Sequence, residues 1–191
     1  MRTAMLFFLL LAFPMLSLAG SEKIEEGFGI KLGQEIRDEN LPEGLNMERV
    51  DENDGEVIYS FIPEHPYGPL TEYLVFVTPA SDRVYQIQAL GHFKRRDNCV
   101  EELDILEKLL ARKYGEKNYD ASLQFTDLDV INFGDRKRKI IVKCSGFFSK
   151  HKLKLIYLDK ELMKVARKEA KRPPGRGIVP TEGGERDAQG L

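Results

Sequence analysis

Residues 94–115, KRRDNCVEELDILEKLLARKYG, set Cys99, Leu103, Leu106, Leu110 and Tyr114 at three- and four-residue steps, so one inward stripe of a helix begins with a cysteine. The spacing predicts a helix over about 98–114. Asn98 is in place to cap it while Glu101 reaches back in an N-x-x-E capping box, and Gly115 supplies the stop. Arg95 and Arg96 lie just upstream, and positive charge beside a helix N-terminus favours a thiolate. Cys99 is therefore either a reactive thiol or half of a cystine.

The chain holds only one other cysteine, Cys144, in RKRKIIVKCSG, where Ile140, Val142 and Cys144 share one face of a predicted strand. Both sulfurs then point into the layer between helix and sheet. The N-terminus decides between the two chemistries. MRTAMLFFLLLAFPMLSLAG carries one positive charge, an apolar run from Met5 to Phe13, the breaker Pro14 and small residues at Ser17 and Ala19, the three regions of a cleavable signal peptide. Residues 1–19 are read as that leader, with cleavage after Ala19. Nine apolar residues are too few to span a hydrocarbon core of about 30 Å as a helix, so no stable membrane span is expected after cleavage. Two cysteines outside the reducing cytosol usually pair, and a Cys99–Cys144 bridge would close a loop of 45 positions (144 minus 99).

Residues 20–170 are read as one domain and 171–191 as a disordered tail, since eight of those last twenty-one residues are Gly or Pro without an apolar period. Within the domain, Phe28, Ile30 and Leu32 alternate as in a half-buried strand, followed by a short helical turn at 34–37. The acid-rich stretch 37–56 reads as loop. Strands follow at 57–62, 73–78 and 84–93; in the third, Tyr85, Ile87 and Ala89 share a buried face opposite Gln86 and Gln88. After the helix come strands at 139–144 and 153–158, with weaker candidates at 122–125 and 130–133. A second helix over about 160–171 carries Leu162, Val165, Ala166 and Ala170. Strands, helix, strands, helix without regular alternation give an α+β class, a mainly antiparallel sheet packed by a central and a C-terminal helix.

Catalytic signatures are sparse. The glycines of GFGIKLG match a dinucleotide turn at Gly27 and Gly29, but Gly33 comes one residue too late and no strand precedes them. His65, His92 and His151 stand apart from one another and from the cysteines, so no local metal-ligand pair exists, and neither a cofactor nor a metal is expected. One enzymatic alternative remains, a small secreted hydrolase whose site assembles from His65, His92 and carboxylates.

The segment IPEHPYGPL, 62–70, has prolines at every third position, which favour an extended loop with little entropy to lose on binding. Pro63, His65, Pro66, Tyr67 and Pro69 form a candidate binding loop, presenting His65 and Tyr67; the bland alternative is that the prolines block edge pairing. The same loop would serve a secreted enzyme inhibitor. Charge is polarised despite a net of −2: residues 22–56 hold twelve acids and four bases, and residues 135–172 fourteen bases and four acids. Arg136, Lys137, Arg138, Lys139, Lys152 and Lys154 form a candidate basic patch for an anionic surface component, unless the acidic half simply neutralises it. Nucleic acid is not an expected partner, because no aromatic stacking motif accompanies the charge.

GFGIKLG, PEHPYGP, EYLVFVTPASDRVYQI and NCVEELDILEKLLARKYG with the later strand cysteine resemble small exported bacterial hypothetical proteins, whose recurrent features are an F-G-I-x-L-G opening, a V-T-P strand end and a K-Y-G helix end. The resemblance covers most of residues 27–160 and implies a Gram-negative cell envelope; it implies no activity, cofactor or catalytic residue. The expectation is a periplasmic or secreted, non-enzymatic module that binds an envelope protein or an anionic surface component.

Overall fold

A computed structural model describes residues 22–50, 56–117 and 129–171. The predicted leader, the strand candidate at 122–125 and the tail beyond Lys171 lie outside the described residues. The elements are β1 Glu26–Gly27, β2 Ile30–Lys31, β3 Glu48–Val50, β4 Val57–Ser60, β5 Glu72–Val77, β6 Val84–Phe93, α1 Arg96–Tyr114, β7 Asp129–Gly134, β8 Arg138–Phe147, β9 Lys150–Asp159 and α2 Lys160–Ala170. Among the described residues β3 to β9 form one antiparallel sheet in the order β3-β4-β5-β6-β9-β8-β7, and β1 pairs with β2 separately. The class is α+β with a mainly antiparallel sheet.

Helix α1 buries the five residues of the predicted stripe, Cys99 to Tyr114, against Ile131, Phe133, Ile140, Val142, Leu153 and Leu155 of the sheet's inner face. Cys99 and Cys144 are bonded, with Cα atoms 6.0 Å apart, so the first turn of α1 is fastened to β8. The helix begins two residues earlier than the sequence predicts. Arg95 is the N-cap in extended conformation and Cys99 N–H already donates to its carbonyl at 3.4 Å, which puts Asn98 inside the first turn, where it cannot cap. The corner after β6 is so short that the helix starts as soon as the strand ends.

The N-terminal segment covers the other half of the same face with Ile24, Ile30, Leu32, Ile36, Leu45 and Met47. Residues 28–32 are not one strand. Glu26–Gly27 and Ile30–Lys31 make a tight hairpin, with Phe28 and Gly29 at φ 55° and 84°. Burial still alternates, which is why the sequence reads as a strand. Gly27 allows the turn to lie on Tyr157, whose ring a Cβ there would meet at 2.8 Å, and Phe28 packs edge-on to Tyr73 at 5.0 Å. These glycines thus serve a turn and a close approach. Residues 34–37 are extended rather than helical, Glu35 bridging Arg83. The predicted 37–56 loop contains β3, a short edge strand that is exposed throughout and so has no hydrophobic signal.

A bulge between β5 and β6 shifts the register after Phe76↔Gln86, so that Val77 faces Val84. Tyr85 therefore leaves the face of Ile87 and Ala89 and joins Leu158 and Ala166 on the outer side, 6.1 Å from the ring of Phe76. Helix α2 lies on this outer side, with Ala166 buried and Leu162 and Met163 partly buried, whereas Val165 and Ala170 are exposed. Asp159, 2 % exposed, fixes the start of α2 by accepting from the N–H groups of Glu161 and Leu162 at 3.0 and 3.1 Å. Its other oxygen accepts from Arg138 Nε at 3.1 Å, while the same guanidinium donates to the carbonyls of Ile24 and Leu32. At the far end of the helix, Glu169 accepts from Ala80 N–H and Ser81 Oγ, each at 2.9 Å.

Closing a loop of 45 positions contributes about 4 kcal/mol in the chain-entropy treatment. Urea unfolding with and without reductant, or of Cys99→Ser/Cys144→Ser, should lose stability of about that size; a loss below about 1 kcal/mol would contradict the staple role.

Candidate functional site

The β8–β9 hairpin is the longest in the described structure, pairing from Arg138↔Asp159 to Phe147↔Lys150 with only Phe148 and Ser149 between the strands. A two-residue turn with left-handed backbone at its first position is usually given to glycine. Here that position is Phe148, at φ 55°, a conformation that costs an L residue about 1 kcal/mol or more. The turn is held from behind. A Cβ on Gly146 would meet the Lys150 carbonyl at 2.1 Å, and buried His151 donates from Nε2 to the Phe148 carbonyl at 2.7 Å. The carbonyl can only accept, so this nitrogen carries the hydrogen. The supported turn projects two adjacent rings into solvent: Phe147 is 84 % exposed and Phe148 99 %.

The register shows what surrounds this tip. Lys150 follows it directly, Lys152 sits opposite Ser145, and Lys143 faces Lys154. On the neighbouring strand His92 faces Lys152 and Phe93 faces His151, so the exposed Lys94, Arg95 and Arg96 leave β6 at the level of the hairpin end. Burial, and then the charges of Lys143 and Lys152, push the Lys154 ammonium below its ordinary range. Three of the acids near this end are engaged. Glu72 pairs with His92 at 2.7 Å, Asp97 with Arg95 at 3.0 Å, and Glu102 accepts from the Tyr67 hydroxyl. The result is a basic end of the sheet capped by exposed aromatic surface.

The basic patch of the sequence reading is not one patch. Arg136, Lys137, Arg138 and Lys139 belong to the β7–β8 end, whereas Lys152 and Lys154 belong to the hairpin-tip end. Lys139 faces Leu158, six residues from Lys152, or about 20 Å along the strand. Arg138 is committed to Asp159, and Asp135 accepts from the N–H groups of Lys137 and Arg138 at 2.7 Å, which holds its carboxyl below the usual range. Proximity in sequence concealed that a strand carries its two ends far apart.

The proline loop is ordered but turned inward. Pro63 is buried, and Tyr67 is half-buried with its hydroxyl on Glu102 of α1. Tyr73 Oη accepts from Tyr67 N–H at 2.9 Å and donates to the Leu70 carbonyl at 3.0 Å. Gly91 leaves room for the Pro69 carbonyl, which a Cβ would meet at 2.4 Å, so the loop is laid against β6. Tyr67 is thus an anchor rather than a presented group. His65 and Pro66 remain exposed beside Ile62, and Pro69 is partly covered.

The histidines have separate partners: His92 with Glu72, His151 with Phe148, and His65 3.9 Å from Glu64. Among the described residues no group of three or more His, Cys, Asp or Glu is placed to hold a metal ion. A groove of about 830 Å³ runs beside α2 past Tyr85, Gln86, Gln88, Lys154 and Arg167, and a cleft of about 630 Å³ lies at the C-terminal end of α1 near Tyr114 and Lys137; neither is lined by a histidine. No described helix is long and apolar enough to cross a membrane. No protein-family model, curated protein or solved structure matches the chain. Sequence reasoning passed over Phe147 and Phe148; the available signal was an aromatic pair standing between a glycine and a serine where a polar turn is expected.

Burial first, and then the Glu102 carboxylate, push the Tyr67 phenol up to about 12. The folded state binds this proton more tightly than the unfolded chain, whose phenol titrates near 10. The contribution is therefore complete below about pH 10 and fades as pH rises toward 12. Tyr67→Phe should be less stable than the parent by about 1 kcal/mol in urea at pH 7. That gap should hold to about pH 9 and narrow above 10; a gap that widens in alkali would refute the assignment.

Proposed function

We propose that this chain is an exported, disulfide-fastened binding module whose hairpin end docks on an anionic component of the cell envelope, without catalysing a reaction. The observation that carries this reading is the convergence of Lys143, Lys150, Lys152 and Lys154 with Lys94 on the hairpin end that carries the exposed aromatic tip. Such a concentration of one charge raises the local density of an anionic partner and speeds encounter with it. The acid-rich N-terminal half supports the same reading, because its charges are partly spent internally. Asp38 accepts from Tyr59 and Arg49 at 2.9 Å each, and Arg37 pairs with Glu35 and Asp82.

Export rests on the leader-like residues 1–19, and a cystine is at home in the oxidising compartment to which such a leader directs a chain. The hydrolase alternative built on His65 and His92 is less favoured because His92 bonds Glu72 while His65 lies beside Glu64, each with its own carboxylate.

The hairpin end is testable against the other basic end. On an immobilised polyglutamate matrix the protein should elute at raised salt, and Lys150→Glu/Lys152→Glu should weaken retention about ten-fold or more, at about 1 kcal/mol per charge. Arg136→Glu/Lys137→Glu should change retention less than three-fold. Equal losses in the two double variants would remove the hairpin end as the docking site.

A further inference from the structure

We infer that the Phe147–Phe148 tip enters the interfacial layer of an anionic phospholipid bilayer, with Lys150 and Lys152 meeting the lipid phosphates. This inference rests on the anionic-docking reading above and names the partner.

Shape is the first reason. Two neighbouring rings, 84 % and 99 % exposed, stand on a convex apex rather than along a groove. A folded protein partner would need a cleft to receive them, whereas an acyl-chain boundary deforms around a convex apolar tip, and Phe flanked by Lys is a side-chain set that buries at the headgroup–acyl boundary. The sequence also retains an aromatic residue where the turn itself favours glycine. A local rule broken in a turn otherwise well supported by Gly146 and His151 points to a use for the ring outside the fold.

Depth is the second reason. Bilayers carry a polar layer of about 5–7 Å on each side of the hydrocarbon core. With the rings at the core boundary, Lys150 lies one pairing step behind Phe148, and Lys152 two residues, or about 7 Å, farther back. Lys150 falls in the headgroup layer, and Lys152 stands at its outer edge, from which its long side chain can reach back to the phosphates. Lys143 and Lys154 stand farther back, still within a Debye length of about 8–10 Å of the surface charge.

The chain contains no tryptophan, so Phe148→Trp places a sole indole at the tip of the full-length protein. Its emission reports the tip alone, whatever else of the chain touches lipid. With vesicles of phosphatidylglycerol and phosphatidylcholine in equal parts, the emission should shift to the blue and become shielded from iodide. The shift should vanish with phosphatidylcholine alone, in high salt, and when Lys150→Glu/Lys152→Glu is added. Phe147→Ser in the same background should weaken vesicle affinity about ten-fold or more, the loss expected for one buried ring. Circular dichroism should be unchanged in each variant, since the altered side chains are solvent-facing. Retention on polyglutamate without any blue shift on anionic vesicles would overturn the lipid assignment and leave anion docking standing. Absence of both retention and blue shift in Phe148→Trp with its lysines intact would overturn both, and a Phe147→Ser effect below two-fold would overturn ring insertion.

Discussion

The bond between Cys99 and Cys144 ties the first turn of α1 to β8, one strand in from the β7 edge of the sheet, and with it the cover of half the inner face. Helix α1 starts directly after β6 and must pass beneath β9, β8 and β7 before the chain rejoins the sheet at its far edge. That is a non-local arrangement, whose loop-closure entropy is met before its contacts form. A covalent link within the buried stripe lowers that cost in the unfolded chain and keeps Leu103, Leu106 and Leu110 on the sheet. The thiol chemistry that a cysteine at a helix N-terminus invites is not available while the sulfur is so engaged and buried.

A second constraint complements it across the sheet. Arg138 and Asp159 face each other across β8 and β9 at the end opposite the tip, and their hydrogen bonds gather the N-terminal segment, the hairpin base and the start of α2. One end of the long hairpin is thereby anchored by charge inside the fold, and the other carries its charges outward. The division is a property of the strands themselves, which place residues ten apart about 30 Å from each other.

Much of the architecture was legible because strong periods dominate it. The stripe from Cys99 to Tyr114, the alternation Ile140, Val142, Cys144 and that of Leu153, Leu155, Tyr157 each fix a face, and the sheet follows from them. What escaped were features without a period. β3 is exposed on every residue, the turn at Phe28–Gly29 hides within an alternating burial pattern, and the bulge that reverses Tyr85 adds one residue that no local signal marks. The candidate site was legible only in part. Lys152 and Lys154 lie on the hairpin that ends in the exposed Phe147 and Phe148, apart from the Arg136–Lys139 run with which their sequence proximity had grouped them. Tyr67 was counted as a presented ring because prolines set a loop's backbone, not the side on which a side chain finds a hydrogen-bond acceptor.

The two clamps on α2 carry a consequence for motion. Asp159 joins β9 to the helix with no intervening residue, and Glu169 fastens the last turn to the corner between β5 and β6. A helix pinned at both ends has no hinge and cannot swing as a lid over the groove it borders. The gap between α2 and the Tyr85–Gln88 strand is therefore a gutter of fixed width, edged by amide, ammonium and guanidinium groups.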